Sequence, residues 1–278
     1  MDDETKAIAA ITKPVNTLIE RLSDAVGVVY EPTRIRRKAR AEADALAITT
    51  QAEIASSELQ HRALVRLAQE EAKKQENIES ILDDAMPKIE ETAKPEEVDV
   101  DWFANFFEKA QTVSNDEVQK HWSDLIAGEI NAPGSYSKRT VNLLHSLDRT
   151  DAEAFELLCR FVWYVNEPIP LIFDHTAEMY TKNGLTFSTL QHLSSLDLIH
   201  FNSIGGFQLQ KLKGNNIVSY CSNPLQLSFG DEAQNLEIGK VRFTQVGTEL
   251  FRLTNAKEVP EFFKFVSEKW SKWTGASN

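Results

Sequence analysis

Between Thr33 and Met86 the chain contains neither glycine nor proline. Alanine, glutamate, glutamine and lysine dominate the stretch, and all four favour helix. A continuous helix of that span is roughly 80 Å long at 1.5 Å per residue. No small domain buries such a rod on every side, so part of it is left to solvent or to a partner. Charge points the same way. Residues 41–101 carry 16 acids and 6 bases, net −10, within a chain of 278 residues and net charge −12. Excess charge confined to one segment marks a solvated, elongated element. The acidic balance also argues against a general nucleic-acid coat, which needs a positive surplus to neutralise phosphates.

Upstream of the rod, residues 1–32 read as an amphipathic helix. Ile8, Ile11, Val15, Leu18, Leu22, Ala25 and Val29 recur at alternating spacings of three and four. Pro14 starts or kinks this helix and Gly27 loosens its end. The stripe must cover itself on the chain's own core, on a sister chain, or on a bilayer surface. It lacks Trp and Phe, which weighs against the bilayer. Glu31-Pro32 then interrupts, and Thr33 fits as the N-cap of the stalk helix, residues 33–86. That helix opens on Arg34, Arg36, Arg37, Lys38 and Arg40. Bases there oppose the helix dipole. They read as a solvated start, as a contact for acidic segments of the same or a neighbouring chain, or as a site for anionic lipid or phosphate. Residues 87–101, with two prolines and six acids, read as an acidic linker.

Residues 102–165 read as a helical domain. Trp102, Phe103, Phe106, Phe107 and Ala110 make one apolar helix face. Ser114 to Glu117 is spaced as a capping box before a helix whose core face is Val118, Trp122, Leu125 and Ile126. Pro133-Gly134 turns the chain, and a third helix carries Val141, Leu144 and Leu147. Thr150 to Glu153 is spaced as a second box, followed by Phe155, Leu158, Phe161 and Val162. In the corner between Trp122 and Thr140, Gly128 permits close approach and Glu129 can pair with Arg139 across the turn. The expected role of this corner is structural.

The same corner resembles an uncharacterised bacterial domain-of-unknown-function family. Its hallmark is a Trp-x-x-Leu-(Leu/Ile)-Ala-Gly-Glu helix, then Pro-Gly-Ser, an aromatic, Ser, a basic residue and Arg-Thr. Here these are Trp122, Leu125, Ile126, Ala127, Gly128, Glu129, Pro133, Gly134, Ser135, Tyr136, Ser137, Lys138, Arg139 and Thr140. The upstream AVGVVYEPTRIRRKARAEADA is similar too, and the likeness runs over residues 10–165. More distantly, the order of parts is similar to abortive-infection alpha-type proteins of bacterial phage defence. The nearer family implies no activity; the distant one implies a setting in phage defence.

Residues 166–278 read as an α+β module. Leu185–Ile199 is an amphipathic helix, and Gly205-Gly206 between alternating segments suggests a β-hairpin. Residues 211–235 read as a long loop with one central strand. GKVRFTQVGTELFRL reads as strand, glycine turn and short helix, and an aromatic helix with Phe262, Phe263, Val266, Trp270 and Trp273 closes the chain. This order is similar to a winged helix-turn-helix. The candidate recognition helix, however, contains no Lys or Arg, whereas DNA readers place phosphate-neutralising and base-reading side chains there. A protein partner is therefore favoured over nucleic acid.

Signals for chemistry are weak. The six histidines show no HxxxH or HxH spacing, and GxSxG, P-loop and GxGxxG motifs are missing. Cys159 and Cys221 form no CxxC pair, and Cys159 lies in an apolar run. No catalytic, cofactor or metal residue is assigned, and no cofactor is expected. The N-terminus lacks a signal-like apolar core, and no stretch is long and apolar enough to span a bilayer. The expected location is cytoplasmic, with peripheral attachment at the inner membrane face as the alternative. The expected fold is mainly α: an N-terminal helical stalk, a central helical bundle and a C-terminal winged-helix-like module. The expected function is a non-enzymatic interaction protein that forms a homo-oligomer through its N-terminal helices. A membrane-associated protein using residues 8–40, or a nucleic-acid-binding regulator, are the alternatives.

Overall fold

A computed structural model describes residues 17–21 and 58–274. The chain divides into two compact units, Met1–His145 and Ser146–Asn278. The break falls ahead of the helix expected to close the 102–165 domain, so that helix belongs to the second unit.

The described part of the first unit is helical. Helix α1, Glu58–Ala85, realises the C-terminal half of the expected stalk; residues 33–57 of it lie outside the described residues. Its second half buries Asn77, Ile78, Ile81, Leu82 and Ala85 at spacings of one, three and four, packing chiefly on α3. Helix α2 is Val100–Ala110, α3 is Asp116–Asn131 and α4 is Lys138–Ser146. The aromatic face of α2 is buried as its spacing foretells. Asp99 caps it, the carboxylate accepting from the Trp102 amide at 2.8 Å. Phe106 stands against Trp122 with ring centroids 5.2 Å apart.

Two local expectations shift here. The cap of α3 is Asn115, whose Oδ1 accepts from the Glu117 and Val118 amides, so Ser114 does not open a capping box. That places Val118 at 39% exposure and buries Gln119 instead, which donates to the Val113 carbonyl and accepts from Ser80.

Residues 87–101, expected as an acidic linker, are packed. Two 3₁₀ turns, Met86–Lys88 and Pro95–Glu97, fold the strap, and Ile89, Ala93 and Val98 are buried. Asn131 at the end of α3 bonds both the Lys88 carbonyl and the Glu90 amide. The Lys94 amide donates to the Ile130 carbonyl at 3.3 Å. The acids face water while Ile89, Ala93 and Val98 between them are buried, so the composition resembles that of a linker.

The second unit overturns the expectation of a mainly α chain. It holds eight strands in three antiparallel sheets among the described residues, and the fold is α+β. Helix α5, Arg149–Cys159, is capped by a box two residues earlier than expected, between Asp148 and Asp151. The chain then enters β1, Val162–Val165, where helix was expected. A tight turn at the single residue Asn166, φ 66°, returns it as β2, Glu167–Pro170. Helices α6, Glu178–Thr181, and α7, Phe187–Ser195, precede β3, Ile199–Phe201, and β4, Phe207–Leu212.

The hairpin expected at Gly205-Gly206 does not form. β3 pairs with β8, Val241–Phe243, and β4 pairs with β7, Gln234–Gly239. The supposed loop 211–235 contains a second hairpin, β5, Asn215–Tyr220, with β6, Asn223–Ser228. It joins the first hairpin in the order β2-β1-β5-β6. A four-stranded sheet built this way departs from the winged-helix plan. Its strands are only four to six residues long, and β1, Val-Trp-Tyr-Val, continues the apolar pattern of α5, so its change from helix to strand has no local mark.

Helices α8, Gln245–Phe251, and α9, Phe262–Lys269, complete the unit. Trp163 of β1 sits fully buried between Tyr220 and Phe263, stacked at 5.5 and 5.4 Å, with Trp270 edge-on at 5.6 Å. Gly247, expected in a turn, lies inside α8. A Cβ there meets the Leu198 carbonyl oxygen at 2.0 Å. Thr244 holds that contact from the helix cap, donating to the Asp197 carbonyl and accepting from the Gly247 amide. Gly247→Ala must force two backbones apart, and we expect a loss of at least about 2 kcal/mol, read as a lower urea midpoint.

Candidate functional site

The Trp122–Thr140 corner is the most completely built feature of the first unit. Glu129 is 2% exposed. Its Oε1 accepts from the Gly134 amide at 2.7 Å and its Oε2 from the Tyr136 amide at 2.8 Å. The expected Glu129–Arg139 pair is therefore replaced by carboxylate-to-backbone bonds, and Arg139 is exposed. The reason is geometric. Gly134 takes φ 86°, which swings successive amides of the turn inward, and a buried carboxylate is best satisfied by such donors.

Gly128 has its own role at this corner. A Cβ there stands 2.8 Å from the Tyr136 ring, so the glycine makes room for the tyrosine rather than for a helix. The Tyr136 carbonyl accepts from Trp102 Nε1 at 2.8 Å, which ties the turn to α2. Thr140 is fully buried at the start of α4, its hydroxyl 3.1 Å from that of Ser137. Pro133 stands half-buried in the turn. Glu129 and Thr140 are turned inward and hold the corner, while Lys138 and Arg139 of the same turn stay exposed.

The other sequence candidates divide sharply. Ile8, Ile11, Val15, Leu22 and Val29 of the stripe, and all of Arg34, Arg36, Arg37, Lys38 and Arg40, lie outside the described residues. Leu18 is described and is fully buried. Three residues on, Arg21 donates to the carbonyls of Glu96 at 2.6 Å and Val98 at 2.9 Å, with its guanidinium 5.9 Å from the centre of the Phe103 ring. The helical piece 17–21 is thereby fastened to the chain's own strap. No periodicity signals this, because a guanidinium binding backbone carbonyls leaves no mark on the residues that accept.

The upstream half of α1 behaves differently. From Glu58 to Leu67 no residue is buried, although the stretch holds Leu59, Leu64, Val65 and Leu67. Leu59 is 69% and Leu67 52% exposed.

In the second unit, α7 presents Phe187, Ser188, Gln191, His192 and Ser195 to solvent. Phe187 is 41% exposed and packs against His175 and Phe201 at 5.3 and 5.5 Å. His192 Nε2 lies 2.6 Å from Asp151 Oδ1. Asp151 also accepts from the Asp148 amide, and that backbone bond, with His192 beside it, holds its carboxyl below the usual range. Such a group stabilises the fold above its unfolded pKa, and that contribution is lost as pH falls through the lower folded value. Asp151→Asn should therefore cost about 1 kcal/mol at pH 7 and show a narrowing gap to the wild type as pH drops below 4. Urea midpoints across pH measure it.

Neither thiol is primed as a nucleophile. Burial pushes the Cys159 thiol far up, and burial together with Glu258 raises that of Cys221, so both stay protonated near neutrality. No group of three or more His, Cys, Asp or Glu suited to a metal occurs among the described residues. None of the helices among them is long and apolar enough to cross a membrane.

Against known proteins, one family model matches, over residues 61–267, and its description is a protein of unknown function, DUF2806. No curated protein and no solved structure matches the chain.

Proposed function

We propose, for a chain that belongs to the DUF2806 family of proteins of unknown function, a non-enzymatic role as an interaction protein that assembles through its N-terminal helices and offers its second unit to a protein partner. The observation that carries this is the first ten residues of α1, where Leu59 and Leu67 are exposed and Leu64 and Val65 only half-buried. Helices in proteins draw most of their stability from packing an apolar face, so this stretch gains from a partner.

A protein partner for the second unit is favoured by the outer face of α7. Its exposed side chains include an aromatic but no Lys or Arg, and its one imidazole, His192, is bonded to Asp151, whereas phosphate recognition rests chiefly on Lys and Arg. Attachment to a bilayer through the N-terminal stripe is disfavoured at its described part, since Leu18 is already buried and Arg21 already bonded. Following the distant resemblance to abortive-infection alpha-type proteins, we place this assembly in phage defence. Plaque counts on cells with and without the gene test the setting: equal counts across a panel of phages overturn it.

Assembly itself is tested by size-exclusion chromatography with light scattering on the full chain. The expected mass is a multiple of 31.4 kDa. A single-chain mass at every concentration up to about a hundred micromolar overturns the reading.

A further inference from the structure

We propose that the exposed ridge Leu59–Ala63–Leu67 of α1 is the centre of a two-fold contact with a second copy of the chain, the two helices crossing antiparallel at Ala63. The proposal rests on the assembly reading above and states which face carries it.

Residues four apart form one ridge of a helix. Here that ridge reads large, small, large, with Leu59 and Leu67 the two outer residues and Ala63 exposed between them. A two-fold axis through Ala63 sets Leu59 against Leu67 of the partner subunit, and Ala63 against Ala63 of the partner subunit. The same patch then serves both copies, as a closed two-fold contact requires. A small residue at the crossing point lets the backbones approach, and the leucines interdigitate as i±4 ridges do at a crossing angle near −50°.

Charge identifies the occupant. The ridge is flanked by ion pairs along the helix, Glu58 with Arg62 at 2.5 Å and Arg66 with Glu70 at 3.6 Å. Two acids and two bases leave this rim neutral. Downstream, Glu71, Glu76, Glu79, Asp83 and Asp84 outnumber Lys73 and Lys74 on the same helix. Two copies of a chain with net charge −12 therefore meet less repulsion at this stretch than at the acidic part of the same helix downstream. An anionic bilayer or a nucleic acid gains little there, because each base already has its acid.

Crosslinking the full chain tests the geometry. In a Cys221→Ser background, Ala63→Cys should give a disulfide-linked dimer under mild oxidation, since a disulfide needs Cα atoms within about 7 Å. Leu59→Cys alone should not crosslink, and Leu59→Cys with Leu67→Cys should. Leu59→Glu with Leu67→Glu, both exposed changes that leave far-UV circular dichroism intact, should halve the scattering mass. An assembled wild type whose mass ignores the double glutamate variant, and in which Ala63→Cys fails to crosslink, overturns this contact but leaves the assembly reading standing. A wild type that is a single chain overturns both. If in that single chain Leu59→Cys resists alkylation, the chain's own residues 22–57 cover the ridge instead.

Discussion

Glu129→Ala lowers the stability of the first unit by about 2–5 kcal/mol. The carboxylate is almost wholly out of water and accepts the Gly134 and Tyr136 amides. Removing it leaves two inward-facing N–H groups without their acceptor, and an unsatisfied buried donor costs about 1–3 kcal/mol. Glu129→Gln is the informative companion. It keeps the shape and one carbonyl acceptor, but puts an NH₂ where a second acceptor is needed. Its loss should fall between the wild type and alanine. Arg139→Ala, by contrast, should change stability by less than about 0.5 kcal/mol, as expected of an exposed surface position. Urea unfolding followed by tryptophan fluorescence reads all three, since Trp102 and Trp122 report on this unit. Equal losses for Glu129→Ala and Arg139→Ala would restore the ion pair that the sequence suggested.

Trp163→Ala costs the second unit a comparable amount, about 3–5 kcal/mol, the range for emptying a buried aromatic site. Tyr220, Phe263 and Trp270 all rest on this ring. Tyr220 in turn donates to the Arg160 carbonyl at 2.7 Å and accepts the Val259 amide at 2.6 Å. A cavity at Trp163 therefore loosens β1, β5 and the segment leading into α9 together. Trp163→Phe should cost less than half as much. It retains the stacking partner, and the indole N–H that it removes has no hydrogen-bond partner among the described residues. Thermal melting of the full chain measures the pair, with the first unit's transition as internal control.

The helical unit was readable in advance because its evidence is local. Trp102, Phe103, Phe106 and Phe107 repeat at helix spacing, and so do Trp122, Leu125 and Ile126; both faces are buried. Caps are readable only to within two residues. Ser, Thr, Asn and Asp all serve as caps, and α3 takes Asn115 rather than Ser114 and α5 Asp148 rather than Thr150. The corner is legible as a corner, but the partner of Glu129 is not: sequence distance favours a visible opposite charge, whereas the fold places two amides nearer. The bonds of Arg21 to the strap and of His192 to Asp151 leave no sequence signal, since each joins groups far apart in the chain.

Strand pairing lay furthest from view. β1 finds β5 more than fifty residues on, and β3 and β4 find β8 and β7 across an inserted hairpin. Alternation within three to six residues does not say which segment will be opposite.

What the amino-acid order determined alone is that Glu58–Ala85, Val100–Ala110 and Asp116–Asn131 are helical, and which face of the latter two is apolar. These follow from periodicity and composition, which act between residues a few positions apart. The tertiary structure decided which carbonyl meets Arg21, which amides meet Glu129, which strands pair, and that Leu59 and Leu67 are left uncovered while Leu18 is not. Those outcomes depend on contacts between segments far apart in sequence, and burial and hydrogen bonding are settled only when such segments meet.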